Sequence, residues 1–86
     1  MNPYTVEWLP GAEQELADIW LAAPDRSAVT RAEATITRLL ARDPLHSGVE
    51  VAEGLRKLIV DPLMLFYSVQ QANRKVEVSK VALYPP

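Results

Sequence analysis

The 86-residue sequence contains no cysteine and a single histidine, His46. Without thiols, neither a disulfide framework nor a thiolate metal site can supplement a small core, and metal centres or catalytic triads built on histidine lack their parts. Three glycines stand far apart, at Gly11, Gly48 and Gly54, so no phosphate-cradling loop of P-loop or Rossmann spacing occurs. Nucleotide hydrolysis is not expected on that ground, and neither is a cofactor or a metal. No window approaches the roughly 18 apolar residues of a membrane span, and MNPYTVEWLP has neither the basic flank nor the apolar run of a signal peptide. A cytoplasmic protein with no membrane partner is the expectation. Positive charge is scarce as well: nine Lys plus Arg against eleven Asp plus Glu give a formal net charge of -2. Nothing therefore attracts the whole chain to a polyanion, and direct nucleic-acid binding is not favoured.

What is present suffices for folding. Hydrophobic residues make up 49% and charged residues 23%, which is the globular pattern rather than the disordered one. A chain of this length buries only about 60 to 65% of the surface its unfolded form exposes, so residues 1–86 are read as a single domain.

Residues 4–8, YTVEW, are rich in β-branched and aromatic types between Pro3 and Pro10, which predicts an opening strand. The period then changes. Ala12, Leu16, Ile19, Trp20 and Ala23 recur on one stripe of a helix, leaving Glu13, Gln14, Glu15 and Asp18 to water. Pro10 suits the first turn and Pro24 marks the end. Ser27 is the expected cap of a second helix with Val29, Ala32, Ile36, Leu39 and Leu40 on one face, and Arg31, Arg38 and Arg42 largely off it. The short link between the helices predicts an antiparallel hairpin whose stripes pack on a sheet.

Residues 43–54 hold Pro44, Gly48 and Gly54 without a steady period and are read as a long, mobile connection. Three strand patterns follow: LRKLIV, LMLFYSVQ and KVEVSKVAL, separated by the turns at Asp61-Pro62 and at residues 71–74. The middle one is apolar on both parities, as a strand covered on both faces would be. The last changes parity near Ser79 and Lys80, which predicts a bulge. The fold class is α+β: an N-terminal strand, a helical hairpin and a three-stranded antiparallel meander, in the order β-α-α-β-β-β.

Arg56 and Lys57 are adjacent on a strand and so point to opposite faces. An Arg56 on the helix-covered face would need a carboxylate or helix C-terminal carbonyls for its guanidinium. Arg74, Lys75 and Lys80 are candidates for an exposed basic rim. Trp8 and Trp20 are expected as core anchors, Tyr67 as a core residue with its hydroxyl at an edge, and Tyr84 as either free or docked. His46 reads as an exposed loop residue, and the carboxylates of the first helix as solvated surface.

The phrases YTVEWLPGAEQELADIW and GLRKLIVDPLMLFYSVQQANRKVEVSKVAL, in this order of elements, resemble the ParE/RelE superfamily of type II toxin-antitoxin toxins, which includes plasmid stabilisation proteins. The residues carrying the likeness are Gly54, Leu55, Arg56, Tyr67 and Val69. The resemblance implies a growth-inhibiting toxin neutralised by a cognate antitoxin. It also implies one of two mechanisms: ribosome-dependent mRNA cleavage with basic and aromatic groups on the sheet, or inhibition of DNA gyrase by binding. Where the ribonucleases typically carry arginines, this chain has Ile59, Val60 and Leu63, then Leu83, Tyr84 and Pro85, so the expected basic set is missing. Many relatives continue past the last strand with a basic segment or helix, whereas this sequence ends at Pro86, a departure that counts against the gyrase route as well and leaves open a degenerate member that retains only partner binding. Because the basic set is missing, the expectation is a ParE-like, non-catalytic toxin acting on a target such as gyrase. The alternatives are a RelE-type endonuclease and a degenerate interaction module that is not toxic. Candidate target- or partner-binding residues are Arg56, Lys57, Arg74, Lys75, Lys80 and Tyr84; no catalytic residue is assigned, and a homodimer is left open.

Overall fold

A computed structural model describes residues 3–86. Its elements are β1 (Thr5–Trp8), α1 (Pro10–Ala22), α2 (Arg26–Arg42), α3 (Pro44–Ser47), β2 (Val49–Ala52), β3 (Leu55–Val60), β4 (Leu63–Gln70) and β5 (Lys75–Leu83). The strands form one mixed sheet in the order β1-β5-β4-β3-β2, in which β1 runs parallel to β5 and the other neighbours are antiparallel. The two long helices provide the crossover between β1 and the later strands, which is what a parallel pairing requires.

Helix α2 follows its periodicity closely: Val29, Ala32, Ile36 and Leu40 are all buried. They meet Leu58 on β3, Leu63, Leu65 and Tyr67 on β4, and Val76, Val78 and Val81 on β5 in one core cluster. Side chains of this size contribute about 1.5 to 3 kcal/mol each when fully buried, so this layer dominates the stability of the molecule. Alternate residues of β4, Met64, Phe66 and Ser68, point the other way and are only half-buried. The sheet thus has a helix-covered inner face and an outer face that no element covers among the described residues.

The structure corrects several expectations. Residues 43–54 are not merely a connection: they contain the single turn α3 and the edge strand β2, which makes the sheet five-stranded. Helix α2 is capped by Asp25, whose carboxylate accepts the Ala28 N–H at 3.1 Å, and not by Ser27. Asp25 wins because it precedes the first helical residue, where a side-chain oxygen reaches the free amides of the first turn. Trp20 is 39% exposed and no core anchor. It lies in the last turn of α1, where its indole Nε1 donates to Thr30 Oγ1 and its ring carries the Arg26 guanidinium at 4.7 Å. Trp8 does pack against the core. His46 belongs to α3 rather than a loop, exposed, with Nδ1 2.7 Å from Asp43 Oδ1. No helix is long and apolar enough to cross a membrane among the described residues.

The bulge near Ser79 is present. Phe66 is opposite Lys80 while Tyr67 is opposite Val78, so Ser79 is the extra residue. This insertion places Lys80 beside Phe66 on the outer face.

Candidate functional site

Strand register builds the outer face row by row. Lys57 on β3, Phe66 on β4 and Lys80 on β5 are direct cross-strand partners, which sets neighbouring Cβ atoms about 4.5 to 5.5 Å apart. An aromatic residue is thereby flanked by two lysines in the row. On one side of this row lie Ile59, Met64 and Ala82, and Val49 pairs with Lys57 from the edge strand. On the other side lie Ser68 with Glu77, then Gln70 with Lys75, and on β1 Glu7 and Thr5. The face therefore runs from an apolar end through a lysine-phenylalanine-lysine row to a mixed, charge-paired end.

Most of its cations are committed to carboxylates. Lys75 Nζ is 2.8 Å from Glu7 and 3.5 Å from Glu77, and these partners raise its pKa, the hydrogen bond to Glu7 being the largest cause. Lys80 Nζ reaches Glu15 at 3.0 Å. Glu15 is not merely solvated surface as its sequence position suggests. Strand β1 stops pairing at Val78, and beyond that point Glu15 from α1 takes the place of the missing strand by accepting the Val81 N–H at 3.0 Å. That backbone bond, followed by the Lys80 side chain, holds the Glu15 carboxyl below its ordinary range. The Lys57 side chain makes no hydrogen bond or ion pair among the described residues.

The remaining candidates lie elsewhere. Arg56 faces inward, and its Nη2 donates to the carbonyls of Leu45 at 2.8 Å and Gly48 at 2.6 Å. These are the helix-terminal carbonyls that an inward-facing guanidinium requires. Arg74 adopts a φ of 49° in the β4–β5 turn and lies 4.3 Å over the Tyr4 ring. The basic rim expected from Arg74, Lys75 and Lys80 is thus not a free cationic surface. Tyr84 is docked through its backbone N–H to the Pro62 carbonyl at 2.9 Å, with its side chain 39% exposed. It lines an apolar groove of about 540 Å³ with Ala23, Pro24, Val29, Leu83 and Pro85, between the helical hairpin and the strand ends.

Sequence reasoning misses Phe66, because an apolar run on both parities reads as a strand covered twice. Its signal is the alternation itself: with Leu65 and Tyr67 inside, Phe66 must emerge. No group of three or more His, Asp or Glu able to hold a metal ion occurs among the described residues. The outer face offers an aromatic surface, apolar neighbours and one unpaired ammonium, a combination suited to holding a partner.

Several toxin-antitoxin structures are similar to this one in fold. The toxin-antitoxin complex RelBE2 from Mycobacterium tuberculosis matches with a TM-score of 0.82 and 19% identity, over 100% of this chain and 97% of that one. The chain has the RelE/ParE toxin fold. A chromosomal ParDE system from P. aeruginosa matches with a TM-score of 0.69 and 11% identity, over 93% of this chain and 95% of the other. The isolated E. coli RelE toxin matches with a TM-score of 0.65 and 14% identity, over 96% and 86% respectively. No family model and no curated protein matches the sequence. A shared fold does not decide between the two mechanisms that the resemblance implies, so side-chain chemistry rather than topology must separate them.

Proposed function

We propose that this chain is the toxin of a type II toxin-antitoxin pair, a cytoplasmic protein that arrests growth by binding a cellular target such as DNA gyrase and is neutralised by a cognate antitoxin. The carrying observation is the dispersal of the cations on and around the sheet: of Arg56, Lys57, Arg74, Lys75 and Lys80, only Lys57 combines an outer-face position with a side chain that has no partner among the described residues. Cleavage of RNA requires several cations gathered around one phosphate together with an acid or base poised for proton transfer. Here Lys75 and Lys80 are neutralised and Arg56 is bound to backbone carbonyls. Antitoxin partnership rests on the similarity to RelBE2 and ParDE, both described as toxin-antitoxin systems.

A RelE-type endonuclease is the second reading, favoured by one feature. The half-buried Phe66 ring, with the unpaired Lys57 beside it in the row, offers a base a surface to stack on and a cation for its phosphate. Induced expression with and without the adjacent reading frame tests the toxin assignment, and growth without arrest in the native host would overturn it. Codon-linked mRNA cleavage in a translation extract would establish the endonuclease. Trapped gyrase-DNA complexes would establish the gyrase-directed route.

A further inference from the structure

Helix α2 carries Arg31, Arg38 and Arg42 on its solvent side, all three exposed. At about 100° per residue, steps of seven and four residues bring them within about 40° of arc, in a single row. None of the three side chains makes a hydrogen bond, ion pair or ring contact among the described residues. The carboxylates that could have served them are placed elsewhere. Glu33 falls on a different side of the helix, Asp43 engages His46, and Asp61 borders the groove beside Arg31 without pairing with it. Arg38 and Arg42, four residues apart, repel one another, and like charges at this spacing weaken a helix. In a chain with more acids than bases, an uncompensated row of cations is a feature whose compensation lies outside the molecule.

From this row we infer that the outer face of α2 is a docking surface for an acidic amphipathic helix of a partner protein. Charge complementarity sets the sign, and spacing sets the conformation. Along the α2 axis the arginines are separated by about 10.5 and 6 Å. A helix lying alongside presents carboxylates at the same seven- and four-residue intervals on one of its own faces. An extended strand advances about 3.3 Å per residue, so the longer gap spans an odd number of residues and turns one carboxylate away. Between the arginines stand Ala34, Thr35 and Ala41, small enough to let a second helix approach. Arginine suits the role, because its planar fork takes a carboxylate in two parallel hydrogen bonds. A nucleic acid fits less well. Three phosphate contacts fall short of the roughly six to ten that give strong salt-dependent binding, and the rest of the chain sets eleven acids against six bases.

The inference is independent of the toxin reading, and its test involves no growth assay. The probes are a synthetic alanine-rich helical peptide with Glu at three positions spaced four and seven residues apart, its Gln counterpart, a single-stranded RNA and a DNA duplex. Binding of each to the full chain is followed by fluorescence anisotropy at low ionic strength. The Glu peptide is expected to bind about tenfold more tightly than the Gln peptide, from three exposed ion pairs. That preference should shrink as salt is added. The variant R31Q/R38Q/R42Q should lose the preference while its melting temperature is unchanged or slightly raised. Equal binding of the two peptides, or a preference that survives the triple substitution, overturns the inference. Tighter binding of either nucleic acid than of the Glu peptide, lost in the triple variant, also overturns it and assigns the row to phosphates.

Discussion

Tyr67 Oη donates to the Pro44 carbonyl at 2.6 Å, joining the middle of the central strand to the first residue of α3 across 23 positions of sequence. Both residues are buried, so no solvent can replace either partner. Tyr67→Phe should therefore cost about 1 to 3 kcal/mol, the penalty of leaving a buried carbonyl unsatisfied. For a domain of this size each kcal/mol lowers the melting temperature by about 4 to 8 °C. Thermal denaturation followed by circular dichroism reads the change, and an unaltered midpoint would show that the bond contributes nothing net.

Gly48 lies where α3 meets β2, and its need for glycine is spatial, since its φ of -132° is open to any residue. A Cβ there would overlap the Lys57 carbonyl and sit 2.9 Å from Tyr67 Oη. Gly48→Ala is expected to destabilise by about 1 to 3 kcal/mol, because strand backbone on one side and a buried ring on the other leave no room to yield. Gly11 offers the contrast: it lies in α1, and a methyl group added there would meet nothing within 4 Å. Gly11→Ala should be neutral or stabilising by up to about 1 kcal/mol. Urea titrations of the two variants compare them directly, and equal midpoints would refute the steric account.

Glu15 makes stability depend on acidity. Its folded pKa lies below the ordinary value of 4.5 because the Val81 N–H and Lys80 favour the carboxylate. A depressed carboxyl contributes stability that is fully present above the unfolded-state value and disappears as pH falls through the folded one. Glu15→Gln still accepts the Val81 N–H but carries no charge to lose. As pH drops from neutral through about 4.5 and below, the wild type should lose more of its melting temperature than the variant. Parallel acid limbs for the two proteins would remove Glu15 from the acid response.

How much of this is legible in the sequence depends on periodicity. Val29, Ala32, Ile36 and Leu40 announce themselves by helical spacing and are all buried. Leu65 and Tyr67 can be read as core, and the parity change at Ser79 foretells the bulge. Strand β2 escapes because all four of its residues are exposed, so no buried face imposes a period. Glu15 escapes for another reason: its position on α1 is polar, and its partner Val81 lies 66 residues away. The Lys57–Phe66–Lys80 row requires register, which single strands do not reveal. The opposite orientations of Arg56 and Lys57 need only the two-residue period of a strand.

Arg56 and Lys57 separate a structural from a binding role, because one is bonded inward and the other projects from the outer face with no side-chain partner among the described residues. Arg56→Ala strips the Leu45 and Gly48 carbonyls of their donor, and should cost about 1 to 3 kcal/mol. Lys57→Glu should leave the melting temperature nearly unchanged, since a substitution that breaks no contact usually stays within about 0.5 kcal/mol. In the toxin reading it reverses the one unpaired charge beside Phe66, so growth arrest on induction should be lost with folding intact. Phe66→Ala added to it should not restore arrest. Melting curves and growth curves on the same variants separate the two roles. Arrest that survives in the Lys57→Glu, Phe66→Ala double variant would exclude the outer face as the target-binding surface, and would shift attention to the groove beside Tyr84.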